Sequence, residues 1–286
     1  MRISVALSGE RLDSRLAGKF AGVGLVRGEY VFRRAGRYPG AESVRELLTP
    51  YLREVVAQAA GQPVWYRFTE VTTIEANVLA GVEEVVDDET FPLLGMRGIR
   101  RARRFPEHFR AEITGVAAAN DGLGVLLPFV TDPEEVDWAV AEIRERAAGL
   151  RIGSMIETPS ALLQLDRLID AGVQHALIGV NDLSSLVDAR LRARGVAPTG
   201  GLMSAITLAR KVTEQRGVEL SVAGYLSAEL IDGCRAAGVD ECVVHYHDLP
   251  RLFGAEWADL PELELLTEIK AKTQRDIAER PRTVTA

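Results

Sequence analysis

A chain of 286 residues, 47% hydrophobic and 26% charged, is long enough to bury a substantial core and falls in the range of one large domain or two small ones. Its 34 basic and 41 acidic residues leave a net charge of −7, so there is no overall basic field for a polyanion, and nucleic acid is not an expected partner. No apolar stretch reaches the roughly 18 residues that span a bilayer, and the opening Met1–Ala6 is too short and too soon polar for a signal peptide, which predicts a cytoplasmic protein without a membrane segment.

Taken in chain order, short β-branched apolar runs alternate with longer amphipathic stretches, the pattern of βα units around a parallel sheet. The runs are Ile3–Ala6, Val23–Arg27, Pro63–Phe68, Leu123–Val130, Arg151–Glu157, His175–Val180, Val218–Ala223 and Glu241–Tyr246. Between them, helices are expected over Ser43–Ala59, Pro133–Ala148, Ser160–Ala171, Met203–Arg216 and Ala228–Ala237, and a Glu- and Lys-rich helix over Leu260–Ala278. Asp132 before Pro133-Glu134-Glu135 combines an N-cap, a proline at the first helical position and acidic first-turn residues. Glu70–Phe105 is less periodic and reads as a lid-like excursion after the third strand. Eight strands in this length predict an α/β fold, a single (β/α)8 TIM barrel over residues 1–280 with an insertion at about 70–105, and a frayed tail over 281–286; an open doubly wound sheet is the lesser alternative. Cys234 and Cys242 match no zinc spacing, are too few for a disulfide framework, and read as buried thiols.

In such a barrel reactive groups belong at the C-terminal ends of the strands. Those ends carry Arg27 with Glu29 after it, Arg67, Glu157, and Asn181-Asp182; Arg97 lies in the excursion and Arg192 follows the sixth strand by ten residues. Two carboxylates on adjacent strand ends suit one hard cation that fills its remaining positions with water and substrate oxygens, so Glu157 and Asp182 are the expected Mg2+ ligands. Arginines crowded at one mouth repel one another unless an anion sits among them, and guanidinium forks fit carboxylate and phosphate. The expected ligand is a small polyanion.

These residues fall in segments that resemble a known family. Gly22-Val23-Gly24-Leu25-Val26-Arg27-Gly28-Glu29 is similar to the Gly-x-Gly-Leu-x-Arg-Thr-Glu of the phosphoenolpyruvate-utilising enzymes, the group of phosphotransferase-system enzyme I, pyruvate phosphate dikinase and phosphoenolpyruvate synthase. Tyr66-Arg67-Phe68-Thr69-Glu70, Pro92-Leu93-Leu94-Gly95-Met96-Arg97-Gly98-Ile99-Arg100, Met155-Ile156-Glu157-Thr158-Pro159-Ser160-Ala161 and Ile178-Gly179-Val180-Asn181-Asp182-Leu183 resemble its further blocks in the same order. The resemblance implies a phosphoenolpyruvate/pyruvate-binding barrel and suggests a homodimer. By position it implies magnesium at Glu157 and Asp182, phosphate and carboxylate grip by Arg27, Arg67 and Arg97, and phosphate contacts from Asn181 and Arg192.

The pattern also breaks. The family's proton donor is the cysteine of a Cys-Gly-Glu on the seventh strand, and here Ala223 stands in Ser221-Val222-Ala223-Gly224-Tyr225. The Gly-Gly-Asp-Lys expected after the third strand is missing, and Phe91 replaces an asparagine. A phosphoryl carrier, a phosphohistidine or ATP-grasp protein, is expected as a separate chain. Three readings stay open. The first is a phosphotransferase-like enzyme in which His245, or after it Tyr225, replaces the thiol as acid. The second is an Mg-dependent aldolase or lyase working through a pyruvate-type enolate, and the third a phosphoenolpyruvate-binding module without turnover. His247 shares the face of His245 if the strand extends that far; His108 and His175 carry no expected role.

Overall fold

In a computed structural model, which describes residues 1–82, 89, 91–120, 122–191 and 197–280, the chain forms a closed parallel barrel with strand order β1 to β8. The strands are β1 (Arg2–Leu7), β2 (Val23–Arg27), β3 (Val64–Arg67), β4 (Gly124–Leu127), β5 (Arg151–Ile156), β6 (His175–Gly179), β7 (Glu219–Ala223) and β8 (Glu241–His245). β8 closes on β1 with Val5 opposite Val244 and Ala6 opposite His245. β4 is shorter than the apolar run because Pro128 lacks an N–H for the ladder and Phe129 takes a left-handed backbone at φ 45°.

Side chains alternate between the two faces of each strand, and one residue from every strand fills the lumen: Ala6, Leu25, Trp65, Leu126, Met155, Leu177, Ala223 and Val243. Gly124 on β4 makes room for the indole from β3, since a Cβ there would lie 2.2 Å from the Trp65 ring. The outward faces form the larger core with the surrounding helices.

The helices follow the sequence with informative exceptions. The helix expected over Ser43–Ala59 widens into a π-turn at Val44–Leu48 before continuing as Thr49–Gln58, because Pro50 offers no N–H and its ring crowds the preceding turn. The helix Gly28–Ala35, not among those expected, starts directly from Arg27 and opens on a glycine because a Cβ there would lie 2.1 Å from the Tyr66 hydroxyl. His108 opens a helix, Pro106–Ala119, and the C-terminal helix is Leu265–Glu279. Residues 281–286 and 192–196, Arg192 among them, lie outside the described residues. Both cysteines are free and buried, and among the described residues no helix is long and apolar enough to cross a membrane.

At the opposite end from the strand C-termini, His175 starts β6 with its ring stacked 4.4 Å from Trp65 and neither ring nitrogen hydrogen-bonded. Burial, with Arg2 and Arg151 adding repulsion, lowers its pKa to about 3. The unfolded chain takes up that proton near pH 6.5, so this site's stability is complete above pH 6.5 and is lost as pH falls toward 3, at about 1.4 kcal/mol per unit. His175→Phe keeps a ring against Trp65 and removes the titration. Urea unfolding at pH 7.5 and 5 should show the parent losing about 2 kcal/mol more than the variant on acidification; equal losses would refute the buried neutral histidine.

Candidate functional site

The alternation that fills the lumen also builds the mouth, because the residue two places after a lumen residue points the same way one layer higher. Leu25 is followed by Arg27, Trp65 by Arg67, Met155 by Glu157, Leu177 by Gly179, Ala223 by Tyr225 and Val243 by His245. Those second-layer residues other than Gly179 are the sequence-chosen ones, and all six line a single cavity of about 390 Å3 with Ala6, Leu25, Met155 and Ala223 among its lining residues. Asn181 and Asp182 enter from the first turn of the helix Val180–Val187, and Arg97 from the residue before the helix Gly98–Arg104. Thus every candidate inside the described residues reaches one site, including His245 and Tyr225. Ala223 is level with Val243, one inward step below His245.

The electrostatics differ from a bare arginine ring. Five acidic and five basic residues line the cavity, and Arg33, Arg67 and Arg97 are already paired with carboxylates. Arg67 contacts Glu29 at 2.5 Å, and Glu70 and Glu157 at 3.6 Å each. Arg97 contacts Glu70 at 2.5 Å and Asp182 at 3.3 Å, and its guanidinium stacks 4.2 Å from the Phe129 ring. Burial opposes both charges, but the surrounding carboxylates outweigh it and hold both guanidinium groups above their ordinary proton affinity. Glu157 is pushed up to about 7: burial is the main cause, Arg67 works against it, and repulsion from Asp182 and Glu70 adds to it.

Local backbone explains these positions. Glu157 receives the Phe129 N–H at 3.0 Å, so the left-handed residue after β4 fixes the carboxylate with its amide and Arg97 with its ring. Gly179 is the second-layer position without a side chain, and a Cβ there would sit 2.5 Å from Cγ of Glu157. The glycine on β6 therefore makes the space that the carboxylate of β5 fills. Asn181 accepts the Tyr225 N–H at 2.9 Å through its side-chain oxygen, which turns its amide N–H2 toward other partners.

This donor set fits a hard divalent cation. Glu157 and Asp182 are buried neighbours whose charges repel, and among the described residues no group of three His, Cys, Asp or Glu side chains is arranged as a complete metal cage. Two carboxylates with open remaining positions are what magnesium accepts, and zinc or a thiophilic metal would want more nitrogen or sulfur.

Some of the lining was not singled out from sequence. Glu29 and Glu70 were visible beside Arg27 and Arg67 but not as partners of Arg67 and Arg97. The excursion 70–105 contributes Glu70, Thr72, Glu75 and Arg97, and the C-terminal helix contributes Leu266, Lys270 and Gln274. That helix docks through Leu265, Leu266 and Ile269 on Tyr30, and Arg33 donates to Thr273 at 3.1 Å. The available signal was the four-residue spacing of Leu266, Lys270 and Gln274, which puts them on one helix face.

Residues 5–199 match the family described as PEP-utilising enzyme, PEP-binding domain. The phosphoenolpyruvate synthase of Pyrococcus furiosus is 31% identical over 231 residues, 73% of this chain and 28% of that enzyme. The phosphoenolpyruvate-protein phosphotransferase of Streptomyces coelicolor is 27% identical over 233 residues, 76% of this chain and 40% of that protein. The chain therefore spans well under half the length of these curated relatives. Among solved structures, citrate synthase SbnG superposes with a TM-score of 0.55 at 14% identity, covering 96% of this chain and 94% of that one. An HpcH/HpaI aldolase/citrate lyase family protein from Burkholderia cenocepacia gives 0.56 at 13%, covering 96% and 93%. Those two likenesses speak to the barrel fold alone.

Proposed function

Because the chain belongs to the PEP-utilising enzymes through their PEP-binding domain, we propose that its mouth cavity binds phosphoenolpyruvate or pyruvate with Mg2+ and works on the pyruvate enolate, in phosphoryl transfer or in reversible proton transfer at the methyl carbon. The observation that carries this reading is the meeting of Arg27, Arg67, Arg97, Glu157, Asn181 and Asp182 in one cavity of about 390 Å3. Arg67 and Arg97 hold the carboxylate and phosphate through their planar forks, and Arg27 grips the same anion from β2. Asn181 donates its amide N–H2 to a phosphate oxygen, its oxygen being taken by Tyr225. Glu157 and Asp182 would hold the Mg2+, which when bound supplies positive charge to the enolate oxygen. Ala223 has no proton to give, so the proton must move at another group. His245 stands one layer above it in the same cavity and supplies an imidazole nitrogen.

A second reading, carbon–carbon bond making or breaking through the same enolate, is favoured by the wall of Lys270 and Gln274, which adds hydrogen-bonding groups for a second substrate beyond those a three-carbon acid uses. The two readings share their binding step. Calorimetric titration with phosphoenolpyruvate, with and without Mg2+, should give metal-dependent binding, and NMR of pyruvate in deuterated buffer should show methyl deuteration. Absence of binding in both titrations would overturn the proposal, and binding without any turnover would leave a recognition module.

A further inference from the structure

Beyond the strand end, β8 runs into a 3-10 turn, Tyr246–Asp248, that brings a second histidine and a buried aspartate behind His245. His245 touches the cavity arginine through one ring nitrogen and His247 through the other. Nε2 is in contact with Nη2 of Arg27, and Nδ1 lies 2.7 Å from Nδ1 of His247. Oδ2 of Asp248 lies 3.7 Å from His247 Nε2, an electrostatic contact beyond hydrogen-bond length, while Oδ1 of Asp248 accepts from Nε of Arg251 at 3.3 Å. Arg251 is anchored on the carbonyl of Leu226 at 2.8 Å, in the loop after β7, and Arg27 donates to the Ser8 hydroxyl at 2.9 Å from Nε.

Proton bookkeeping along this row leaves one arrangement for neutral rings. A guanidinium has only donors, so His245 must offer Arg27 the lone pair of Nε2, and its own proton sits on Nδ1. That proton points at His247 Nδ1, which must then be the acceptor, and the His247 proton sits on Nε2 facing the Asp248 carboxylate. We propose that His247 and Asp248 are positioning residues that lock His245 with an unprotonated Nε2 toward the cavity, so that His245 works first as a base. A carboxylate or phosphate entering the cavity competes for Arg27, and the nitrogen it uncovers is the one without a proton. Nε2 then takes a proton from the methyl carbon of pyruvate, the C–H electron pair becomes the C2–C3 double bond, and the carbonyl oxygen carries the negative charge. The reverse step returns the proton from the imidazolium, whose charge Asp248 offsets through His247. The choice of pyruvate rests on the function proposed above; the tautomer does not.

Long-range 1H–15N correlation spectra of 15N-histidine-labelled protein, without ligand at pH 8, read this directly. His245 should show a protonated Nδ1 and a lone-pair Nε2, with His247 the other way round; a proton on His245 Nε2 would overturn the proposal. In His247→Phe and Asp248→Asn the His245 tautomer, set in the parent by Arg27 and His247 together, should lose part of its bias. Methyl deuteration of pyruvate should fall about 10²-fold in kcat with KM little changed, and His247→Asn, whose amide oxygen can accept from Nδ1, should recover part of it. Unchanged tautomer and unchanged rate in both first variants would also overturn it. The expected tautomers in a protein that exchanges no pyruvate protons would uphold the positioning row and refute the substrate reading instead.

Discussion

Glu157→Ala or Asp182→Ala should remove the effect of magnesium on phosphoenolpyruvate affinity while leaving anion binding in metal-free buffer no weaker than in the parent. The reason is the charge compensation in the cavity. In the parent, Arg67 and Arg97 are engaged by Glu157 and Asp182 at 3.6 and 3.3 Å, so an anion alone must compete with carboxylates, and a cation alone would take those carboxylates from their arginines. Bound together, the cation would satisfy the carboxylates and the anion the arginines, and each ligand would remove the cost of the other. Such coupling is reciprocal and typically amounts to about 5- to 150-fold in affinity. Titrating phosphoenolpyruvate at several Mg2+ concentrations should give that factor in the parent and a value near one in each variant. A full magnesium effect surviving in the Glu157→Ala, Asp182→Ala double variant would end the metal assignment. Weaker metal-free binding in the variants would end the competition argument while leaving the ligands in place.

The same pairing marks the boundary of what the sequence could tell. The barrel was legible because burial on both sides of each strand writes continuous apolar runs, and because a period of two carries each lumen residue to a mouth residue: Leu25 to Arg27, Met155 to Glu157, Val243 to His245. Given the strands, the mouth residues follow by counting. Partners do not. Arg67 takes Glu29 from the helix after β2, and Arg97 takes Asp182 from 85 residues away, choices set by where the closed barrel brings loops together. The clustered arginines do not wait uncompensated for an anion, because Glu29 and Glu70 already offset Arg67 and Arg97. Helix boundaries erred for local reasons, with Gly28 opening a helix because Tyr66 fills the space of a Cβ, and Pro50 widening one. The C-terminal helix looked like a polar finish to the chain. Its Lys270 and Gln274 reach the cavity only because Leu265 and Ile269 dock on Tyr30.

Arg67→Met should cost both binding and stability, and the stability loss should depend on pH in a direction that identifies its cause. The methionine keeps the length of the stem but leaves Glu29, Glu70 and Glu157 without the guanidinium they share in a site where Arg67 is 6% exposed. Removing one partner of a buried ion pair typically destabilises by about 3–5 kcal/mol, mostly as the penalty of the charge left behind. Glu157 is already raised to about 7 with Arg67 lowering it, so the substitution pushes it further up. A carboxyl raised in the folded state contributes stability that is present below its unfolded value near 4.3 and is lost as pH rises through the folded value. Urea unfolding should therefore find the variant close to the parent at pH 5 and increasingly behind it through pH 7 and 8, whereas loss of packing alone would give the same deficit at every pH. Phosphoenolpyruvate affinity should be lost at both ends of that range, because the fork that grips the anion is gone even where the neighbouring carboxyls have taken up protons. A deficit independent of pH would show that Arg67 does not neutralise the carboxylates around it, and undiminished affinity would remove it from the anion site.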